Sequence, residues 1–205
     1  ENANFFQVID QMKESLTGNI VPIQLPIGSE ASFSGVVDLL KMKAYQWEAN
    51  GKFKEVAIPA ELVDDAAAYR DQLAEAAAEA DDDLLNKFLE GEELSTEEIY
   101  TGFKAALRKG MVIPVLCGSA TKNIGIQLLL DLIIEGLPSP NETAEAEGKD
   151  LAAEPLTALV FKTLTDPYVG KLNFFRVFTG TFKGDTFVYN ANKEKEEKIG
   201  QILIM

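Results

Sequence analysis

The chain has 205 residues, 46% of them hydrophobic, and carries 33 acidic against 19 basic residues for a net charge of −14. That length suffices for one large domain or two small ones with a buried core, and the charge sets the chain against phosphate backbones and anionic membranes. The absence of histidine excludes Ser-His-Asp and Cys-His catalysis and His-ligated zinc, and the single cysteine, Cys117, excludes an internal disulfide.

No apolar run approaches the roughly 18 residues of a membrane span. The opening Glu1-Asn2-Ala3-Asn4 lacks the basic start of a signal peptide, so a cytoplasmic location is expected. No segment has the Asp-x-Asp-x-Asp-Gly spacing of a calcium loop, and no metal is expected.

In chain order, Phe5, Val8, Ile9, Met12 and Leu16 recur at helical spacing, with Gly18 placed to end the helix. Residues 20–27, 33–40 and 44–47 read as short strands of a small sheet, punctuated by Gly28-Ser29 and Asn50-Gly51. Pro22 and Pro26 cannot donate ladder hydrogen bonds, which puts the first strand at an edge or makes it short. A helix is predicted from Pro59 to about Ala80 with Leu62, Ala66, Tyr69, Leu73 and Ala76 inward, then a short one holding Leu84, Leu85 and Phe88. Ser95 and Glu98 have the spacing of a capping box for a third helix lined by Ile99, Phe103 and Leu107.

Residues 111–116 form a continuous apolar run, as in a strand of a parallel sheet buried on both faces. Cys117-Gly118-Ser119-Ala120-Thr121-Lys122-Asn123 follows, and then a helix with Ile124, Leu128, Leu129, Leu132 and Ile133. Gly136, Pro138 and Pro140 end that unit, and residues 141–153 read as a linker. Beyond it the pattern turns to β, with strand candidates at 156–164, 172–178, 186–189 and 198–205, implying a barrel or sandwich.

Charge divides the chain in the same way. Between Glu61 and Glu98 there are fourteen acidic residues against Arg70 and Lys87, whereas from Leu151 onward six acidic residues meet seven basic ones. Asp71, Glu75 and Glu79 stand four apart, so their carboxylates share one helix face. That face reads either as a solubilising surface or as a docking surface for a basic partner.

The loop at Gly118 to Asn123 occupies the place where α/β sheets bind ligands, at the carboxyl end of a strand; it reads either as an ordinary strand-to-helix turn or as a ligand loop. Cys117 has no base partner in sight and reads as packing rather than as a nucleophile. No Gly-x-x-x-x-Gly-Lys-Ser/Thr loop and no Gly-x-Gly-x-x-Gly fingerprint occurs. Asn192-Lys193-Glu194-Lys195 imitates a guanine-reading Asn-Lys-x-Asp but has lysine where the aspartate must accept from the base, so it reads as a solvated hairpin.

Many short segments in order resemble one family: Pro22-Ile-Gln-Leu-Pro-Ile-Gly28, Gly35-Val-Val-Asp-Leu39, Lys41-Met-Lys-Ala44, Gly91-Glu-Glu-Leu94, Cys117-Gly-Ser-Ala120, Leu137-Pro-Ser-Pro140, Asp166-Pro-Tyr-Val-Gly170 and Phe174-Phe-Arg-Val177. Together they resemble elongation factor G or its paralogues, across nearly the whole chain. The resemblance implies an internal fragment. Residues 1–140 would be the C-terminal part of a GTPase domain, with an insert subdomain, G′, at about 20–109. Residues 154–205 would be an incomplete β-barrel domain II.

The implied fold class is α/β, with an α+β insert holding a small sheet and acidic helices, followed by part of an all-β barrel. In the family, Ser-Ala-x reads the guanine base through its backbone, which maps to Ser119, Ala120 and Thr121. Acidic residues of the G′ helix contact the stalk protein L7/L12, which maps to Asp71, Glu75 and Glu79, and domain II contacts ribosomal RNA. The parent protein would use GTP and Mg2+ in translocation or ribosome recycling. This chain lacks the phosphate loop, switches and Asn-Lys-x-Asp, and is expected to be inactive alone, with no bound cofactor. A ribosome-protection or release-factor relative is the alternative in the same superfamily, and a stand-alone acidic adaptor the alternative outside it.

Overall fold

A computed structural model of the chain describes residues 3–48, 51–143 and 148–203. Asn50 of the expected Asn50-Gly51 turn, part of the expected linker, and Ile204 and Met205 of the last expected strand lie outside the described residues. The chain divides into two compact units, with the boundary in the sequence after Leu137.

The first unit opens with helix α1 (Phe5–Ser15), whose N-terminus is capped by the Asn4 side chain accepting from the Gln7 N–H at 3.1 Å. Ile9 is the residue it buries, while Phe6, Val8 and Leu16 stay exposed. The expected strand at 20–27 is two strands in two sheets. β1 (Asn19–Pro22) pairs in parallel with β6 (Val112–Val115), whereas β2 (Gln24–Ile27) pairs antiparallel with β3 (Gly35–Asp38). Ile23 makes the handover: its N–H donates to the Val115 carbonyl and its own carbonyl accepts from Leu39, each at 3.0 Å.

The small sheet continues through β4 (Lys43–Trp47) and β5 (Phe53–Val56), in the order β2-β3-β4-β5. β2, the strand that contains Pro26, is an edge of this sheet, as a proline without an N–H requires. Sequence reading has no strand where β5 stands.

Three helices follow the sheet: α2 (Val63–Ala78), α3 (Asp82–Leu89) and α4 (Thr96–Arg108). The capping box forms as the spacing predicts, with Ser95 N–H on Glu98 Oε2 at 2.8 Å and Glu98 N–H on Ser95 Oγ at 3.3 Å. α2 buries Ala66, Leu73, Ala74, Ala76, Ala77 and Ala78, a face made almost wholly of small side chains. α4 therefore approaches closely, and it does so at Gly102, where a Cβ would stand 2.6 Å from the Ala77 carbonyl oxygen. Phe103, beside that glycine, is among the most deeply buried side chains of the core.

After β6, helix α5 (Ile126–Gly136) completes the strand-loop-helix unit. The parallel pairing of β1 with β6 agrees with the α/β expectation, but burial on both faces does not: Ile113 is 38% exposed. Among the described residues β6 has β1 as its one strand neighbour, so its outward side chains have no second layer above them. α5 likewise leaves Leu130, Ile133 and Ile134 exposed.

The second unit is built of two antiparallel hairpins, β7 (Thr157–Asp166) with β8 (Gly170–Thr179), and β9 (Phe187–Asn190) with β10 (Lys195–Lys198). The Asp166 carboxylate accepts from the N–H groups of Tyr168 and Val169, both at 2.8 Å, and closes the first turn. The final strand lies earlier than the apolar tail suggested, because Asn190 Oδ1 accepts from the Asn192 and Lys193 N–H groups and folds the chain back at once. Asn192, Lys193 and Glu194 thus lie in the hairpin turn and Lys195 begins β10, in line with the solvated-hairpin reading. Both hairpins line one open apolar cleft, as strands of a barrel-like domain do.

Candidate functional site

The loop between β6 and α5 is closed by its own backbone. Ser119 N–H donates to the Ile124 carbonyl at 2.9 Å and Ile124 N–H to the Ser119 carbonyl at 3.0 Å, while Asn123 N–H turns back onto Ala120 at 3.2 Å. The neck beneath this turn admits no side chain: a Cβ at Gly118 would meet the Ile124 carbonyl oxygen at 2.9 Å, and one at Gly125 would meet that of Cys117 at 2.7 Å. Gly125 also has φ +80, a left-handed conformation that glycine adopts freely.

The turn exposes Ala120 and Thr121 and leaves Ser119 half-buried. The N–H groups of Ala120 and Thr121 take no partner among the described residues. Exposed backbone N–H groups without an internal partner can donate to an acceptor on a planar ligand, and the glycine neck fixes the shape of the turn that carries them.

Cys117, at the base of the loop, sits where the neutral thiol is favoured over the thiolate. Burial pushes its thiol up to about 12, against the small opposing effect of a backbone hydrogen bond. Its N–H instead donates to Gln24 Oε1 at 3.3 Å, one of the contacts that seat the loop.

Of the acidic trio, Asp71 and Glu75 lie on α2 and Glu79 is its C-terminal cap residue, none of them at this loop. Asp71, Glu75 and Glu79 are all exposed and form no ion pair among the described residues. The two basic residues of the acidic segment are both engaged elsewhere. Arg70 turns its guanidinium inward to the carbonyls of Leu39 and Leu40, the latter at 2.8 Å, and to Thr96 Oγ1 at 2.9 Å. Desolvation lowers its pKa, opposed by Asp38 first and then by Asp71 and Glu93. Lys87 pairs with Glu98 at 2.7 Å. Spacing alone showed the two bases at the margins of the face; their side-chain contacts show that neither forms an ion pair with it, although Asp71 still acts on Arg70 through space.

Other contributors had no sequence signal. Gln24, Trp47 and Lys122 make the contacts that join the small sheet and its turn to the loop and α5, over separations of 80 to 93 residues. Tyr100 on α4 donates its hydroxyl to Glu135 on α5; its own desolvation, then that carboxylate, raise the phenol to about 12.

Among the described residues, no three acidic or cysteine side chains converge as a metal site requires, and no helix is long and apolar enough to cross a membrane.

Residues 155–205 match the family model for elongation factor G domain 2. Over 97% of its length the chain is also similar to a crystal structure of a protein from Thermus thermophilus, with a TM-score of 0.76 at 31% sequence identity. The chain spans 28% of that protein's length.

Proposed function

We propose a function from the premise that this chain belongs to the elongation factor G family, with domain 2 at residues 155–205: it is the base-reading and partner-docking part of a translational GTPase that acts on the ribosome in translocation or recycling. The observation that carries the reading is the pair of unpartnered backbone N–H groups at the exposed residues Ala120 and Thr121, on a loop between a parallel strand and a helix, upstream of the domain 2 segment.

In this reading Ser119, Ala120 and Thr121 contact the guanine base. Backbone N–H groups suit that task because guanine offers a carbonyl acceptor where adenine offers an amino group. The donor set fits a base and not a triphosphate, whose cradle of glycine N–H groups and lysine this sequence lacks. Phosphate and Mg2+ binding, and hydrolysis itself, are assigned to the parent protein.

Residues from about 20 to 109 act as the G′ insert. Support comes from topology: β1 and β6 are neighbours in one parallel ladder, so everything between Pro22 and Val112 leaves and re-enters the same sheet. Asp71, Glu75 and Glu79 on that insert dock the basic domain of the stalk protein L7/L12, and the β unit contacts ribosomal RNA.

The test is ribosome-stimulated GTP hydrolysis by the parent protein, compared with its Glu75→Lys/Glu79→Lys variant. Stimulation that falls in the variant and with added salt is expected. Absence of any stimulation by ribosomes would remove the reading.

A further inference from the structure

The loop that presents Ala120 and Thr121 rests on a hydrophobic cluster separate from the main core. Val36 on β3, fully buried, and Trp47 on β4, 8% exposed, pack with Ile124 and Leu128, and Cys117 packs against them. Three hydrogen bonds join the same two parts: Cys117 N–H to Gln24 Oε1 at 3.3 Å, the Lys122 ammonium to the Ala31 carbonyl at 3.2 Å, and Trp47 Nε1–H to Gln127 Oε1 at 3.3 Å. They fall at the entry of the loop, on its crown and at the first turn of α5.

These contacts do something the loop cannot do for itself. The bonds between Ser119 and Ile124 fix the shape of the turn, but not its direction relative to the rest of the unit. A backbone donor is selective only when its direction is fixed, since hydrogen bonds weaken steeply below about 120°. A loop that must be oriented at the moment of binding spends part of its interaction on that ordering.

We propose that the face of the small sheet carrying Val36 and Trp47 is the seat that orients the 118–123 loop, with Trp47 as its principal positioning residue. The proposal rests on the reading of Ser119 to Thr121 as the base-contacting residues. Trp47 is suited to the part because its ring fills the contact beneath Ile124 while its N–H ties to α5, the element into which the loop runs. The sheet that carries it belongs to the insert, so the insert's packing sets the geometry of base recognition.

Amide hydrogen exchange on the 205-residue chain tests the seat. Trp47→Phe keeps an aromatic ring against Phe53, whose centroid lies 4.9 Å from that of Trp47, but removes the Nε1–H; Trp47→Ala removes the seat's centre. The expected result is exchange about 10-fold faster at the Cys117 amide, whose bond to Gln24 Oε1 spans the seat, in Trp47→Ala and a smaller rise in Trp47→Phe, with protection in α2 and α4 unchanged. A merely structural role would speed Phe103 and its neighbours on α4 equally. An unchanged rate at the Cys117 amide in both variants, or acceleration shared by the whole unit, would overturn the proposal. If Trp47→Ala does not fold, Trp47→Phe still decides. A GDP titration of the parent protein separates the underlying reading: a loosened loop with unaltered guanine affinity leaves the seat standing and removes the base contact.

Discussion

Gly102→Ala sets two effects against each other at the crossing of α2 and α4, and the structure decides the sign. Alanine is favoured over glycine inside a helix by roughly 1 kcal/mol, so a local argument predicts stabilisation. At this position the new Cβ would lie 2.6 Å from the Ala77 carbonyl oxygen and 3.0 Å from Leu84 Cδ1. Overpacking a well-filled core costs about 1–3 kcal/mol, and the upper part of that range applies because the main obstacle is backbone that cannot rotate aside. The net expectation is destabilisation by about 1–2 kcal/mol, a fall in Tm of roughly 4–8 °C for a unit of this size. Trp47 is the chain's one tryptophan and is buried in this unit, so its fluorescence reports the melt. An unchanged or higher Tm would mean that the two helices do not approach as closely as their small residues allow.

Three further outcomes are expected. Glu75→Lys with Glu79→Lys should weaken binding of the basic stalk domain roughly 10-fold in an NMR titration, since exposed pairs contribute about 1 kcal/mol or less each and reversal turns attraction into repulsion; unchanged shifts would return the face to mere solubility. Glu98 should titrate near 2 instead of 4.5, held down by Lys87 first and then by Ser95. Because its folded value is depressed, its support for α4 is complete above the unfolded value and is lost as pH falls toward 2, so carboxyl NMR should place the transition there and the α4 amides should lose protection with it. Cys117, with its thiol near 12, should react with a thiol reagent at pH 8 on the order of 10³-fold more slowly than an unperturbed cysteine, and at the free rate once the unit is unfolded.

What was legible in the sequence was what short-range chemistry decides. The Ser95-x-x-Glu98 box needs only its own four residues, and the apolar run before Gly118 marks a strand, although the burial on both faces from which its parallel pairing was read is not found. β5 escaped because Phe53-Lys54-Glu55-Val56 shows no clean alternation; it is held in place by its ladder to β4 and by the Lys43–Glu55 ion pair at 2.8 Å, a partner twelve residues away. β10 escaped for the same reason, since Lys195-Glu196-Glu197-Lys198 is all charge and becomes a strand through the Asn190 turn. The position of the Ser119 to Thr121 loop was readable, but its seat was not, because the Gln24–Cys117 contact spans 93 residues and leaves no spacing to read.

The charge on α2 follows from how that helix is stabilised. Its exposed side works against it: Asp71, Glu75 and Glu79 repel at the four-residue spacing by a few tenths of a kcal/mol per pair. Its last turn carries no basic residue to complement the macrodipole, although Lys109, at the end of α4, donates to the Ala80 carbonyl at 2.7 Å just beyond its end. The buried side outweighs both, since Leu73 and five alanines remove several side chains from water at about 0.8 kcal/mol per CH₂-sized group. Stability is thus supplied by the inward face, and the outward face keeps a charge the fold does not require. Arg70, the helix's own cation, is committed to the Leu39 and Leu40 carbonyls and cannot swing out to neutralise it without leaving those acceptors unpaired. A basic partner laid along Asp71, Glu75 and Glu79 therefore gains its own attraction and relieves the repulsion already present, and both contributions shrink together as salt rises.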